Sequence, residues 1–165
     1  MCIRDRTKGV VNQIEHLGRS FSAKDTSKYR RVRFGNIVYT KSPTGNFPYG
    51  IVKQSKIKYD VAVSPLYGVY EPIDYATGNL IHLYFEQAEN ANNYIRSLAQ
   101  KGAKNTINIT TSHFLDKHII FPIEHKDREF YSNYLDSITR AIIFNEQYLV
   151  KLQNFKKGLL QQMFI

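Results

Sequence analysis

Three kinds of side chain in this chain are spaced so that they could do chemistry. The first is Asp116 with Glu124 and Lys126, which read as an acidic residue followed by an E-x-K element. In a metal-dependent DNA endonuclease such carboxylates hold a divalent ion while the lysine favours the attacking hydroxide. The plainer reading is that Pro122 ends a strand and that Glu124, Asp127 and Glu129 open a helix, where negative charge suits the dipole. The second is His113 and His118, five residues apart. That spacing does not give the i, i+4 pair of a helical metal site, so a surface or structural role is expected and no metal. The third is a basic stretch with interleaved aromatics, in which Lys28, Arg30, Arg31 and Arg33 alternate with Tyr29, Val32 and Phe34. A strand here would turn positive charge to one side and apolar groups to the other, and such a strand can dock on phosphates. The loop that follows carries Thr40, Lys41, Ser42, Thr44 and Asn46, donors and acceptors of the sort that meet phosphates and base edges. Lys101, Lys104 and Asn105 around Gly102 form a second set of the same character.

Charge supports the third set. Residues 1–58 hold thirteen Lys or Arg against three Asp or Glu, whereas the remainder holds ten against eleven, so the net +9 lies in the first third. That is the electrostatic footprint of a polyanion-binding face, although a solvated basic surface with no partner would look the same. Phosphate-binding G-x-x-x-x-G-K, G-x-G-x-x-G and G-x-S-x-G patterns are absent, which leaves nucleotide hydrolysis, Rossmann chemistry and the serine-hydrolase elbow unsupported. The lone Cys2 excludes an internal disulfide framework and favours a reducing, cytoplasmic setting. No apolar run approaches the length that crosses a bilayer.

The elements that would position these residues follow from periodicity. Val10 to Arg33 is irregular, with one short strand. Strand signals run from Arg31 through Gly35 to Thr40, and Lys41–Gly50, with two prolines and two glycines, must be a loop. Ile51–Val52, Ile57–Val63 and Tyr67–Tyr70 resume the strand pattern, Asn79 to Ala99 reads as helix, and Ile107–Thr110 and His118–Pro122 as short strands. From about Lys126 no proline occurs. Leu135, Ile138, Ile142, Asn145, Leu149, Leu152, Lys156, Leu159 and Met163 recur at steps of three and four, a heptad seam that predicts an extended helix pairing with another. The polar Asn145 in that seam would fix register. The expected class is α+β: a mixed α/β domain over 1–126, in which 1–6 read as a non-native scar, and a long helix over 127–165.

Four blocks in order carry a family likeness: Arg33-Phe34-Gly35-Asn36-Ile37-Val38-Tyr39-Thr40-Lys41-Ser42-Pro43-Thr44-Gly45-Asn46, Val63-Ser64-Pro65-Leu66-Tyr67-Gly68-Val69-Tyr70, Lys101-Gly102-Ala103-Lys104-Asn105-Thr106-Ile107-Asn108-Ile109 and Gly158-Leu159-Leu160-Gln161-Gln162-Met163-Phe164. From Val10 onward the chain resembles the specificity subunit of type I restriction-modification systems. The resemblance implies a target recognition domain that reads one half of a split site in double-stranded DNA, and a conserved helix that pairs in an antiparallel coiled coil as spacer and docking element. It further implies no catalysis and no cofactor in this chain. Adenine methylation with S-adenosylmethionine belongs to the modification subunits of that family, and cleavage to its restriction subunit. The chain departs from the family in having one recognition domain and one helix, so it is expected to be either a C-terminal half or a half-subunit that dimerises. The other function classes left standing are the metal-dependent endonuclease and a basic scaffold that binds RNA or acidic proteins by charge alone.

Overall fold

The computed structural model describes residues 2–5, 9–11, 27–101 and 107–164. Mixed α and β structure is observed, as small antiparallel sheets and a long terminal helix. The strands are β1 (Cys2–Asp5), β2 (Gly9–Val11), β3 (Arg30–Val32), β4 (Ile37–Thr40), β5 (Ile51–Gln54), β6 (Val61–Val63), β7 (Gly68–Tyr70), β8 (Gln100–Lys101) and β9 (Ile107–Asn108). The helices are α1 (Tyr75–Glu86), α2 (Ala88–Arg96), α3 (Thr111–Phe114) and α4 (His125–Met163). Residues 2–5, expected to be foreign to the domain, pair as β1 with β2.

The central sheet has the order β5–β4–β7, with Tyr39 opposite both Val52 and Gly68. All four residues of Ile-Val-Tyr-Thr in β4 are buried, the mark of a strand covered on both faces. Alternation sends Ile37 and Tyr39 into a core with Phe85, Tyr94, Ile95 and Phe114. Val38 enters a second, smaller core with Val10, Val32, Val61 and Val63, beneath the β3–β6 pair. In the larger core Tyr39 and Tyr70 stack on Phe114 at 4.9 Å between ring centres.

Four expectations are corrected. The strand expected to run through Arg31–Thr40 is two strands in different sheets. Gly35 takes φ +86°, and the Arg33 amide donates to the Asn36 side chain at 2.8 Å, so the chain turns there. The helix expected from Asn79 begins earlier, where Asp74 caps it by accepting from the Thr77 amide at 2.6 Å, and breaks at Gln87, whose ψ of 113° is extended. His118–Pro122 is no strand, and Ile120 lies 97% exposed. A one-turn helix, α3, capped by Thr110, was not expected at all.

The loop Lys41–Gly50 is irregular, as its composition required, and it is held from below. Thr44 and Phe47 exchange backbone hydrogen bonds at 3.0 and 2.9 Å, Phe47 is buried, and the Tyr39 hydroxyl donates to the Tyr49 carbonyl at 2.7 Å. Gly50, at φ +93°, closes the loop so tightly that a Cβ would stand 1.8 Å from the Thr40 carbonyl oxygen. At about 1.5 Å per residue the 39 residues of α4 extend well over 50 Å. Only Ser132 on it is fully buried, and Leu135, Ile138, Ile142, Leu149, Leu152 and Leu159 are all substantially exposed.

Candidate nucleic-acid interface

Arg30 and Arg31 project from β3, which register places opposite Val63 and Ala62, while Val32 anchors the strand in the smaller core. The Arg31 guanidinium grips the Asp60 carboxylate, its Nε donating at 2.6 Å. Both partners are exposed, so the pair contributes little to stability. Arg33, in the turn, lies 3.7 Å from the Glu71 carboxylate and is likewise exposed. The Lys41 ammonium donates to the Ile109 carbonyl. Burial first, and then the charge of Arg30, hold its pKa below the ordinary lysine value. Ile109 follows β9, whose Ile107 amide also reaches the Lys41 carbonyl at 3.4 Å. The polar loop and β9 are therefore tied together at Lys41, where the charge of Arg30 on the basic strand is also felt.

The residues expected from sequence to touch DNA are placed unequally. Arg30, Arg31, Arg33, Ser42 and Asn46 are exposed, and Thr44 is partly so. Thr40 is a correction. It lies at the end of β4 rather than on the loop and is only 4% exposed, and its hydroxyl exchanges hydrogen bonds with the Ile51 amide and carbonyl at 3.0 and 3.3 Å. Such a hydroxyl has spent its proton, and burial keeps its remaining lone pair away from a ligand. Lys41 is half-buried and holds the Ile109 carbonyl. Lys101 falls in β8, where the backbone alone is described, and Lys104 and Asn105 lie outside the described residues.

Asp116 and Glu124 are not brought into a metal site. The Asp116 carboxylate is bonded to His113 Nδ1 at 2.6 Å, Glu124 is the N-cap of α4, and among the described residues no group of three His, Cys, Asp or Glu could hold an ion. His118 is exposed.

Sequence reasoning missed a polar joint that seats α4 on the domain. Asn79, fully buried on α1, donates to Ser132 Oγ at 2.9 Å and to Asp136 at 3.1 Å, and Lys56 lies 3.5 Å from the same Asp136 oxygen. Arg128 reaches Asp74 at 3.0 Å and the carbonyls of Pro122 and Ile123. Burial opposes ionisation of Asp74, but the Thr77 hydrogen bonds and Arg128 outweigh it and hold the carboxyl below the usual range. Next to Asn79 on the helix, His82 sits 3.4 Å from Glu86, which Lys53 binds at 2.5 Å. Burial, with help from the Lys53 charge, pushes the His82 imidazole down to about 4. Beside this joint an apolar groove of about 620 Å³ opens between α1, the 120–122 segment and α4. No sequence signal marks the joint, because Asn79 and Ser132 are ordinary polar residues until the fold brings them together.

Comparison with family models, with curated proteins and with solved structures finds no match to this chain. No helix among the described residues is long and apolar enough to cross a membrane.

Proposed function

We propose that the chain is a non-catalytic DNA-recognition module, the specificity element of a type I restriction-modification enzyme, reading one half of a split target in double-stranded DNA. Its partners in that role are the modification and restriction subunits, its setting is the cytoplasm, and α4 pairs with another helix as an antiparallel spacer. The observation that carries the reading is the convergence at Lys41. There a braced loop that presents Ser42, Thr44 and Asn46 is tied to β9 and its continuation at Ile109, and the charge of Arg30 on the basic strand is felt at the same ammonium. Arginines supply sequence-independent, salt-sensitive affinity, and short polar side chains held on a rigid frame supply sequence choice.

The test is selection from randomised duplex DNA by the purified chain together with its modification subunit. A half-site motif supports the reading, and binding indifferent to sequence removes it. Within that assay, Arg30→Ala and Arg31→Ala are each expected to lower the slope of log K against log salt by about one, the release of a single phosphate contact. An unchanged slope in both takes β3 off the DNA face. Lys41→Ala should instead destabilise the fold, since its ammonium holds Ile109.

A further inference from the structure

The exposed seam of α4 contains two residues that do not belong in an apolar contact, Asn145 and Lys156. Each costs stability if it faces Leu or Ile across a helix pair, so together they report the partner for which the seam is built. We infer that the partner is a second copy of this chain, antiparallel, in the one register that sets Asn145 against Lys156 of the other copy. The inference rests on the helix-pairing part of the function proposed above and not on its DNA-reading part.

The steps of three and four along the seam match their own reversal only at positions one heptad apart. In one such alignment Asn145 and Lys156 meet twice, once on either side of the central Leu149–Leu152 layers, and an amide oxygen accepts from an ammonium. Every other layer is then apolar: Leu149 faces Leu152, Ile142 faces Leu159 and Ile138 faces Met163. One heptad either way sets Asn145 against Leu149 or Met163 and Lys156 against Ile138 or Leu152, burying both polar groups without partners. A parallel pair would stack Lys156 on Lys156 and crowd both recognition domains at one end. The same helix reversed supplies a lysine for each asparagine and an asparagine for each lysine, so a second copy satisfies the alignment by itself.

Two further features fit that occupant. Ile138 and Ile142 line the apolar groove at the foot of α4, together with Leu80, Tyr84 and Ile120. The proposed register brings the exposed Leu159 and Met163 of the second copy to that place, so the groove receives the end of the partner helix. Beside the seam, Tyr148 of one copy meets Phe155 of the other, both about half exposed or more in the single chain, in reach of an aromatic pair.

Disulfide trapping reads the register directly, because a bridge forms only where Cβ atoms come within about 4.5 Å. The single cysteine of the sequence, Cys2, is first replaced by serine. Ile142→Cys and Leu159→Cys proteins, each made singly in the full-length chain, should cross-link when mixed and not when oxidised alone. The mixture of Ile142→Cys with Leu152→Cys, which reports the neighbouring register, should link several-fold less. Replacing both Asn145 and Lys156 by leucine should preserve the dimer in sedimentation equilibrium and abolish the preference between the two mixtures. Linking within Ile142→Cys alone shows a parallel pair and overturns the inference, as does preference for Leu152→Cys. A dimer with the wrong register refutes this inference and leaves helix pairing intact, whereas a monomer refutes both. DNA selection on the same proteins is read separately.

Discussion

Arg128→Ala is expected to cost about 2–3 kcal/mol of stability, the range for losing hydrogen bonds to a charged group in a partly buried site. The Arg128 side chain is 11% exposed and Asp74 is 18% exposed, so little water reaches the pair. Asp74 would be left charged against α1, and the carbonyls of Pro122 and Ile123 would lose their donor. The loss should show in urea denaturation followed by circular dichroism. Lysine at 128 should rescue only in part, because an ammonium cannot span a carboxylate and two carbonyls as the guanidinium fork does. A cost under about 1 kcal/mol would mean that the joint behaves as a solvated surface pair.

The second large effect concerns acid. His82 takes its proton at about 4 in the folded chain, below the ordinary histidine value of 6.5. As the pH falls from 6.5 towards 4, the unfolded chain gains the proton first, so stability present above 6.5 is lost through that window. With about 1.4 kcal/mol per pH unit, the loss is on the order of 3 kcal/mol. Glu86 and Asp74 act in the same direction at lower pH, because both are held below the usual carboxylate range and must be protonated as the fold is lost. Thermal melts from pH 7 to pH 4.5 should therefore show a falling midpoint, and His82→Gln should flatten the upper part of that curve. An equally steep curve in the variant would place the proton uptake elsewhere.

Strand β4 and helix α4 were legible in advance because each has a pattern that one segment carries by itself. Ile37–Thr40 is a short β-branched and aromatic run between turn residues, and α4 repeats apolar positions without a proline. The misreadings came where a neighbour decides. Thr40 looks like a loop donor until Ile51 pairs with it, and Gln87 looks helical until α2 turns away from α1. His118–Pro122 has strand-forming residues and no strand to join. The arginines of the candidate interface were visible as composition, but the tie between Lys41 and Ile109 spans 68 positions, and no local rule reaches that far. The joint of Asn79 with Ser132 was hidden for the same reason, at a separation of 53.

The β3–β6 ribbon has a further consequence for any experiment on its arginines. Among the described residues β3 is bonded along one side only, to β6, and an edge of that kind invites strand addition from another molecule. Charged side chains on such an edge discourage that pairing. Arg30 and Arg31 thus guard against aggregation whether or not a phosphate ever meets them. Alanine at either position removes the guard along with the ligand, and clumped protein would imitate lost affinity. Glutamate at the same positions keeps the edge charged while repelling a polyanion, and so separates the two roles.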